Sequence, residues 1–219
     1  MVLFPLWVNA QTHVEYWSKF QIEKTVRERL ILGSDIQFRT QSNYVISNTN
    51  PFQYPLSYSV RIWGNVKFRQ LTVITAPIAY FRHFDINKDT LQYFNEEIRT
   101  AAGLGRTHTL KKHDFNFRLL YEHRYFMRSD LHNDRLRFLI KWRPNVFSTR
   151  KLNVQPYIQE EYFLRLNTGE YLCDQNRIQT GIRYKTKNLD ISIAYQYTTQ
   201  KQTALTNSHQ IFTGILYNL

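Results

Sequence analysis

Two strings of charge carry the chemistry this chain could do. In FNFRLLYEHRYFMR (115–128), Arg118, Glu122 and Arg124 share one parity, and in RLRFLIKWRP (135–144) Arg135 and Arg137 follow at the same two-residue spacing. On an extended backbone successive side chains point to opposite faces, so each string projects to one side of its strand. Glu97 and Arg99 repeat the arrangement upstream, and Arg177 and Arg183 do so downstream. Guanidiniums fork onto carboxylates, so such ladders bridge neighbouring strands, and where arginines are in excess they attract anions. Glu97, Arg99, Arg118, Glu122, Arg124, Arg135, Arg137, Arg177 and Arg183 are therefore the candidate site. It is a charge cluster, not a catalytic centre.

Other chemistries find less support. Barrel enzymes that act on lipids place a His and a Ser two apart on one strand face. None of His13, His83, His108, His113, His123, His132 or His209 has Ser at the second following position, and Ser208-His209 falls on opposite faces. Of Glu96-Glu97 and Glu160-Glu161 only one member each can face inward, so an acid/base pair is not assembled. His108 and His113 flank Lys111-Lys112 without a metal-ligand spacing, and Gly103-Leu104-Gly105 is too short for a nucleotide loop. The single Cys173 excludes an intramolecular disulfide framework. No catalytic, cofactor or metal residue is assigned, and no enzyme is expected.

The elements that must position the charges are strands. Phe115, Phe117, Leu119 and Tyr121 oppose Asn116, Arg118, Leu120 and Glu122, and Leu136, Phe138, Ile140 and Trp142 oppose Arg135, Arg137, Leu139 and Lys141. The period is two, and the i, i+3, i+4 spacing of a helix is missing. The same habit places strands near 13–22, 28–40, 56–69, 71–84, 94–107, 114–127, 133–143, 152–165, 175–186, 189–200 and 209–219. That is eleven runs, whereas single-chain bacterial barrels normally hold an even number. The expectation is an all-β, closed antiparallel up-and-down transmembrane barrel of 10–12 strands, with 12 favoured. The run 94–107, with its glycines, and the parity of 71–84 around Pro77 are its weakest parts.

Alternation alone fits a soluble barrel or its inverted membrane counterpart. Several features favour the second. The runs are long, where soluble strands average about five to six residues. Aromatics (Phe20, Tyr58, Phe68, Tyr125, Trp142, Tyr184, Tyr197, Tyr217) sit near the ends of the apolar faces, as an interfacial girdle requires. The last strand alternates through Ile211, Thr213, Ile215, Tyr217 and Leu219. No stretch reaches the roughly 18 apolar residues of a membrane helix. The net charge of +12 then lies inside. Arg29, Arg39, Arg61, Arg69, Lys141, Arg143 and Lys185 join the candidate arginines in the lumen, opposed by Glu15, Asp35 and one of Glu160 or Glu161. A soluble basic barrel that binds nucleic acid would instead concentrate a basic stripe beside exposed rings, which the regular alternation does not supply.

Residues 1–10, MVLFPLWVNA, are apolar and uncharged and end in Val-Asn-Ala, like the tail of a secretory signal without its basic segment. They are read as a signal remnant, with 11–219 forming one barrel domain.

These segments resemble a known family. Glu97-Ile98-Arg99, the Arg-x-x-x-Glu-x-Arg of 118–124, RLRFLIKWRP, PYIQEEYFLRLN (156–167) and the long run 175–197 are similar to domain-of-unknown-function family 2490. So is Asp174-Gln175-Asn176-Arg177 ahead of a strand. The resemblance covers nearly all of 11–219. It implies a barrel in the outer membrane of Gram-negative, Bacteroidetes-type bacteria, and it brings no activity. The expected function is a non-enzymatic, monomeric outer-membrane barrel in contact with lipid, structural or passing or binding a small anionic solute. The alternatives are a lipid-modifying barrel enzyme and the soluble nucleic-acid binder.

Overall fold

Alternating polarity becomes alternating exposure. The computed structural model describes residues 11–43, 49–87, 90–144, 147–148, 153–166, 173–201 and 205–219, so the segment read as a signal remnant (1–10) lies outside the described residues. Every regular element among them is a strand: β1 (Gln11–Arg27), β2 (Leu30–Gln41), β3 (Tyr54–Phe68), β4 (Leu71–Asn87), β5 (Thr90–Leu110), β6 (His113–Phe126), β7 (Leu131–Pro144), β8 (Phe147–Ser148), β9 (Asn153–Arg165), β10 (Cys173–Lys185), β11 (Leu189–Lys201) and β12 (Leu205–Asn218). Each wall strand hydrogen-bonds to the next, β10 pairs with both β9 and β11, and β1 pairs with β12, so the sheet closes on itself. A closed sheet has no unpaired edge.

The wall holds eleven strands, not the twelve that an even count favours. β8 is a two-residue appendage paired to β9. Nor is the sheet antiparallel throughout. With an odd number of up-and-down strands the first and last run in the same direction, and β1 and β12 pair in parallel from Gln11↔Thr206 to Glu23↔Asn218. Short turns at 28–29, 69–70 and 111–112 gather at one end of the barrel, with left-handed backbone at Arg69 and Lys111. β2 ends and β3 begins at the other, loop end, where Gln41 pairs with Tyr54.

Local irregularities explain the two weakest parts of the sequence reading. The β4–β5 register shifts between Ala76 and Ala79, flanking Pro77, which has no N–H to give to a ladder. Ala76 and Ala79, three apart, are therefore both buried. The glycine-containing run proves to be the longest strand, β5. A Cβ at Gly103 would lie 2.0 Å from the Leu119 carbonyl oxygen, so the glycine lets β6 and its buried Leu120 press close.

Candidate functional site in the barrel lumen

The interior is the polar side. Asp35 is 1% exposed and its neighbour Ile36 is 56%; Gln210 is 1% and Ile211 is 45%. Outward-facing Val60, Ile62, Ile78, Leu104, Leu119, Phe138, Ile140, Ile178, Ile182 and Ile193 form a continuous apolar exterior, while Glu15, Glu97, Glu122, Glu161, Gln179 and Gln196 are buried. Toward the loop end the exterior turns amphipathic. There Tyr80 donates to Glu96 (2.6 Å), Tyr121 to Asp134 (2.8 Å), Tyr125 to Asp130 (3.0 Å) and Tyr162 to Glu160 (2.6 Å). Tyrosine carries an apolar ring and a polar tip, so it suits such a boundary.

Inside, three carboxylates organise the candidate charges. Glu97, wholly buried, receives Nε and a terminal nitrogen from Arg99 (2.6 and 2.8 Å) and from Arg124 (2.5 and 3.1 Å), with His83 Nε2 at 3.0 Å. Arg99 and Arg124 stand directly opposite across β5 and β6, and Glu97 offsets the like charges that this register brings together. Glu122 accepts from Arg135 (2.5 Å), its cross-strand partner, and from Arg137 (2.7 Å), with Arg99 at 3.7 Å. Glu161 accepts from Arg118 and Arg137, each at 2.9 Å, and has Arg177 at 3.9 Å. Of the Glu160-Glu161 pair, then, Glu161 is the lumen residue.

Eight of the nine candidate residues thus form one connected network in which six guanidiniums share three carboxylates. Arg183 is not part of it. It pairs with Asp190 on β11, near the turn end. Arg118 serves Glu161 rather than Glu122, because its position in β6 is level with Leu139 and, beyond it, Glu161. Arg29 and Arg69 leave the lumen altogether and sit exposed in turns. On the other side of the lumen, Asp35 takes Arg61 through Nε (3.0 Å) and a terminal nitrogen (2.8 Å), and Arg39 pairs with Glu15.

Aromatic rings thread this network, and their role is not visible in a count of charges. The Phe163 ring, wholly buried, has Arg135, Arg137 and Arg177 over it at 4.6, 5.0 and 4.6 Å, and Trp17 has Arg39 at 4.9 Å and Arg177 at 5.5 Å. Arg99 stacks on Phe81 at 3.7 Å. Guanidinium–ring contacts of this kind are favourable and hold the plane of the fork. Phe163 shares parity with Glu161, so the sequence signal was there, but an aromatic residue on the charged face reads as an interruption.

A cavity of about 1360 Å³ occupies the loop-end half of the lumen, and one of about 250 Å³ lies toward the turns. Lys19, Arg61, Phe81, Arg99, Arg118, Leu120 and Arg137 border both. The partition between the two cavities is thus mostly cationic.

Fold and site together define a closed eleven-stranded β-barrel with an apolar exterior and an arginine-rich, ion-paired interior. The chain belongs to the family described as Protein of unknown function (DUF2490), whose sequence profile matches residues 14–209. No curated protein matches it in sequence. Among solved structures it is similar to outer-membrane-expressed OmpT of Vibrio cholerae (9% identity, TM-score 0.42, 78% of this chain and 55% of that one). It is similar also to in-vitro folded OmpT, an outer membrane protein of the same organism (8% identity, TM-score 0.39, 78% and 54%). The chain thus spans about half the length of those proteins.

Proposed function

We propose that this protein is a monomeric, non-enzymatic outer-membrane β-barrel whose basic lumen passes or binds small anionic solutes. One observation carries the reading: polarity is inside out. A soluble barrel buries apolar side chains and exposes charge, whereas a membrane barrel exposes apolar residues to lipid and keeps its polar groups inside. Here the exposed face is isoleucine, leucine, valine and phenylalanine, and the buried face is glutamate, glutamine and arginine. A soluble nucleic-acid binder would need its guanidiniums on the outside, where phosphates can reach them. Closure of the sheet leaves no strand edge that requires a second copy.

Anion preference follows from the excess of guanidiniums over carboxylates in the network and from the cationic partition. The test is cell fractionation followed by planar-bilayer recording. Recovery in the outer-membrane detergent extract, heat-dependent gel migration and an anion-selective reversal potential support the proposal. A soluble monomer, or a cation-selective lumen, overturns it.

A further inference from the structure

Arg177 differs from the other network arginines in having almost nothing to donate to. Arg99, Arg118, Arg124, Arg135 and Arg137 each place at least one N–H on a carboxylate oxygen within hydrogen-bond distance. Arg177 has its closest carboxylate oxygen, Glu161 Oε2, at 3.9 Å, and among the described residues its buried Nε has no acceptor. A guanidinium carries five donors, and leaving them unanswered in a confined site is costly. What holds Arg177 is stacking: it lies over Phe163 at 4.6 Å and Trp17 at 5.5 Å. These contacts fix the plane of the fork and, among the described residues, leave its edge without a protein acceptor.

A second guanidinium approaches the same place. Arg39 lies over the same Trp17 ring at 4.9 Å and pairs with Glu15 through one terminal nitrogen. Arg39, Arg177, Trp17 and Glu161 all line the large cavity. Two guanidiniums on one ring, both lining the cavity and one of them without a carboxylate in hydrogen-bond distance, form a receptor for a ligand with several acceptor oxygens and negative charge.

We propose that Arg177 and Arg39, held on Trp17 and Phe163, form a binding site for a small oxyanion, a carboxylate or a phosphate, in the wall of the large lumen cavity. The site deepens the function proposed above and rests on the lumen admitting such solutes. Glu15 and Glu161 keep its net charge low, so it suits a passing anion and not a permanently trapped one.

The full chain, refolded in detergent, is titrated calorimetrically with sodium phosphate and, separately, sodium acetate over a chloride background. Saturable single-site binding of either anion is expected, and the two arms show which oxyanion the site prefers. Arg177→Gln should weaken binding about tenfold or more, the scale of one charge-assisted fork. Arg183→Gln, which removes a lumen charge paired elsewhere with Asp190, should leave it unchanged. Heat-dependent gel migration reports whether each variant has folded. If Arg177→Gln does not fold, Arg177→Lys keeps the charge without the fork and should still bind more weakly. Absence of saturable binding in the folded wild type, or equal weakening by Arg177→Gln and Arg183→Gln, overturns the site. So does wild-type affinity in Arg177→Lys. Fractionation as a soluble protein would overturn the membrane reading without touching this titration, so the two failures are distinguishable.

Discussion

The lumen has two walls, and different chemistry holds each. From β5 through β10 the wall is ionic, with Glu97, Glu122 and Glu161 each shared among several guanidiniums. Around the parallel seam, from β11 across β12 to β1, it is largely amide and hydroxyl. Gln196 donates to Gln210, and Gln210 in turn donates to Ser208 (2.9 Å) and, across the seam, to Glu15 (3.0 Å). Outside, Tyr16 and Thr213 meet across the same seam at 2.7 Å. In a shared-ion wall each carboxylate answers several cations at once, so its removal is felt by all of them. In an amide wall most bonds are made between neutral groups, and the loss of one of these stays local.

The largest effect should come from the ionic wall. Glu97→Gln removes the charge that holds Arg99, Arg124 and His83 together, and leaves two guanidiniums facing each other across β5 and β6. Breaking a buried ion pair costs about 3–5 kcal/mol. We expect a loss at the upper end, read as a lowered midpoint in urea-driven unfolding from lipid vesicles. Glu122→Gln should cost somewhat less, since Arg135 and Arg137 give it one hydrogen bond each, whereas Arg99 and Arg124 each give Glu97 two. A Glu97→Gln protein as stable as wild type would show that the lumen is too hydrated for its ion pairs to matter.

The outer face gives the next effect and tests what the wall faces. Ile140→Arg on the exposed apolar band should cost about 2–4 kcal/mol if that band sits in lipid near the midplane. Ile140→Leu should be nearly silent there, because lipid tails accept either shape. A large loss from Ile140→Leu would mean that the face packs against protein, and the contrast between an ionic interior and a lipid-facing exterior would fail.

How much of this was legible in the sequence follows the same division. Alternation specifies eleven runs and puts Arg118, Glu122, Arg124, Arg135 and Arg137 on one face, because a period of two leaves no choice of parity; strand length and aromatic placement then turn that face inward. The eleven runs match the eleven wall strands, and the preference for twelve within the range of ten to twelve rests on the usual even count and not on these residues. A parallel β1–β12 seam is long-range pairing, and no local pattern announces it. The bulge around Pro77 defeated parity because an extra residue reverses the faces beyond it. Partner choice was also hidden. Whether Arg118 meets Glu122 or Glu161 depends on register between strands 43 residues apart in sequence, which charge spacing within one strand does not contain. His83, Trp17 and Phe163 were passed over because none of them is a residue type that an arginine–carboxylate ladder calls for.

Arg118→Met separates redundancy from importance within the ionic wall. Glu161 loses one of its two hydrogen-bonded arginines but keeps Arg137, with Arg177 close by. We expect a loss of about 1 kcal/mol, a single charge-assisted bond partly offset by an apolar side chain that packs beside Leu120 and Leu139. In bilayers the same variant should weaken anion preference, because Arg118 borders both lumen cavities. Stability falling as far as in Glu97→Gln would show that arginines are as limiting as carboxylates, and the picture of shared counter-charges would have to go.

The smallest effect should lie at the seam wall. Gln196 is 3% exposed and donates to Gln210 and to Thr198 (3.3 Å). Gln196→Leu removes those two donations, yet Gln210 keeps its own bonds to Glu15 and Ser208, so no charged group is stranded. A neutral hydrogen bond is worth about 1 kcal/mol net, and a leucine of similar size recovers part of that by burying apolar surface beside Phe212 and Ala194. We therefore expect a shift of about 0.5–1.5 kcal/mol in the same unfolding experiment, with anion selectivity unchanged. A loss of 3 kcal/mol or more would put the amide relay on a par with buried ion pairs. It would mean that closure of the parallel seam depends on these glutamines, and that the two walls are one cooperative network.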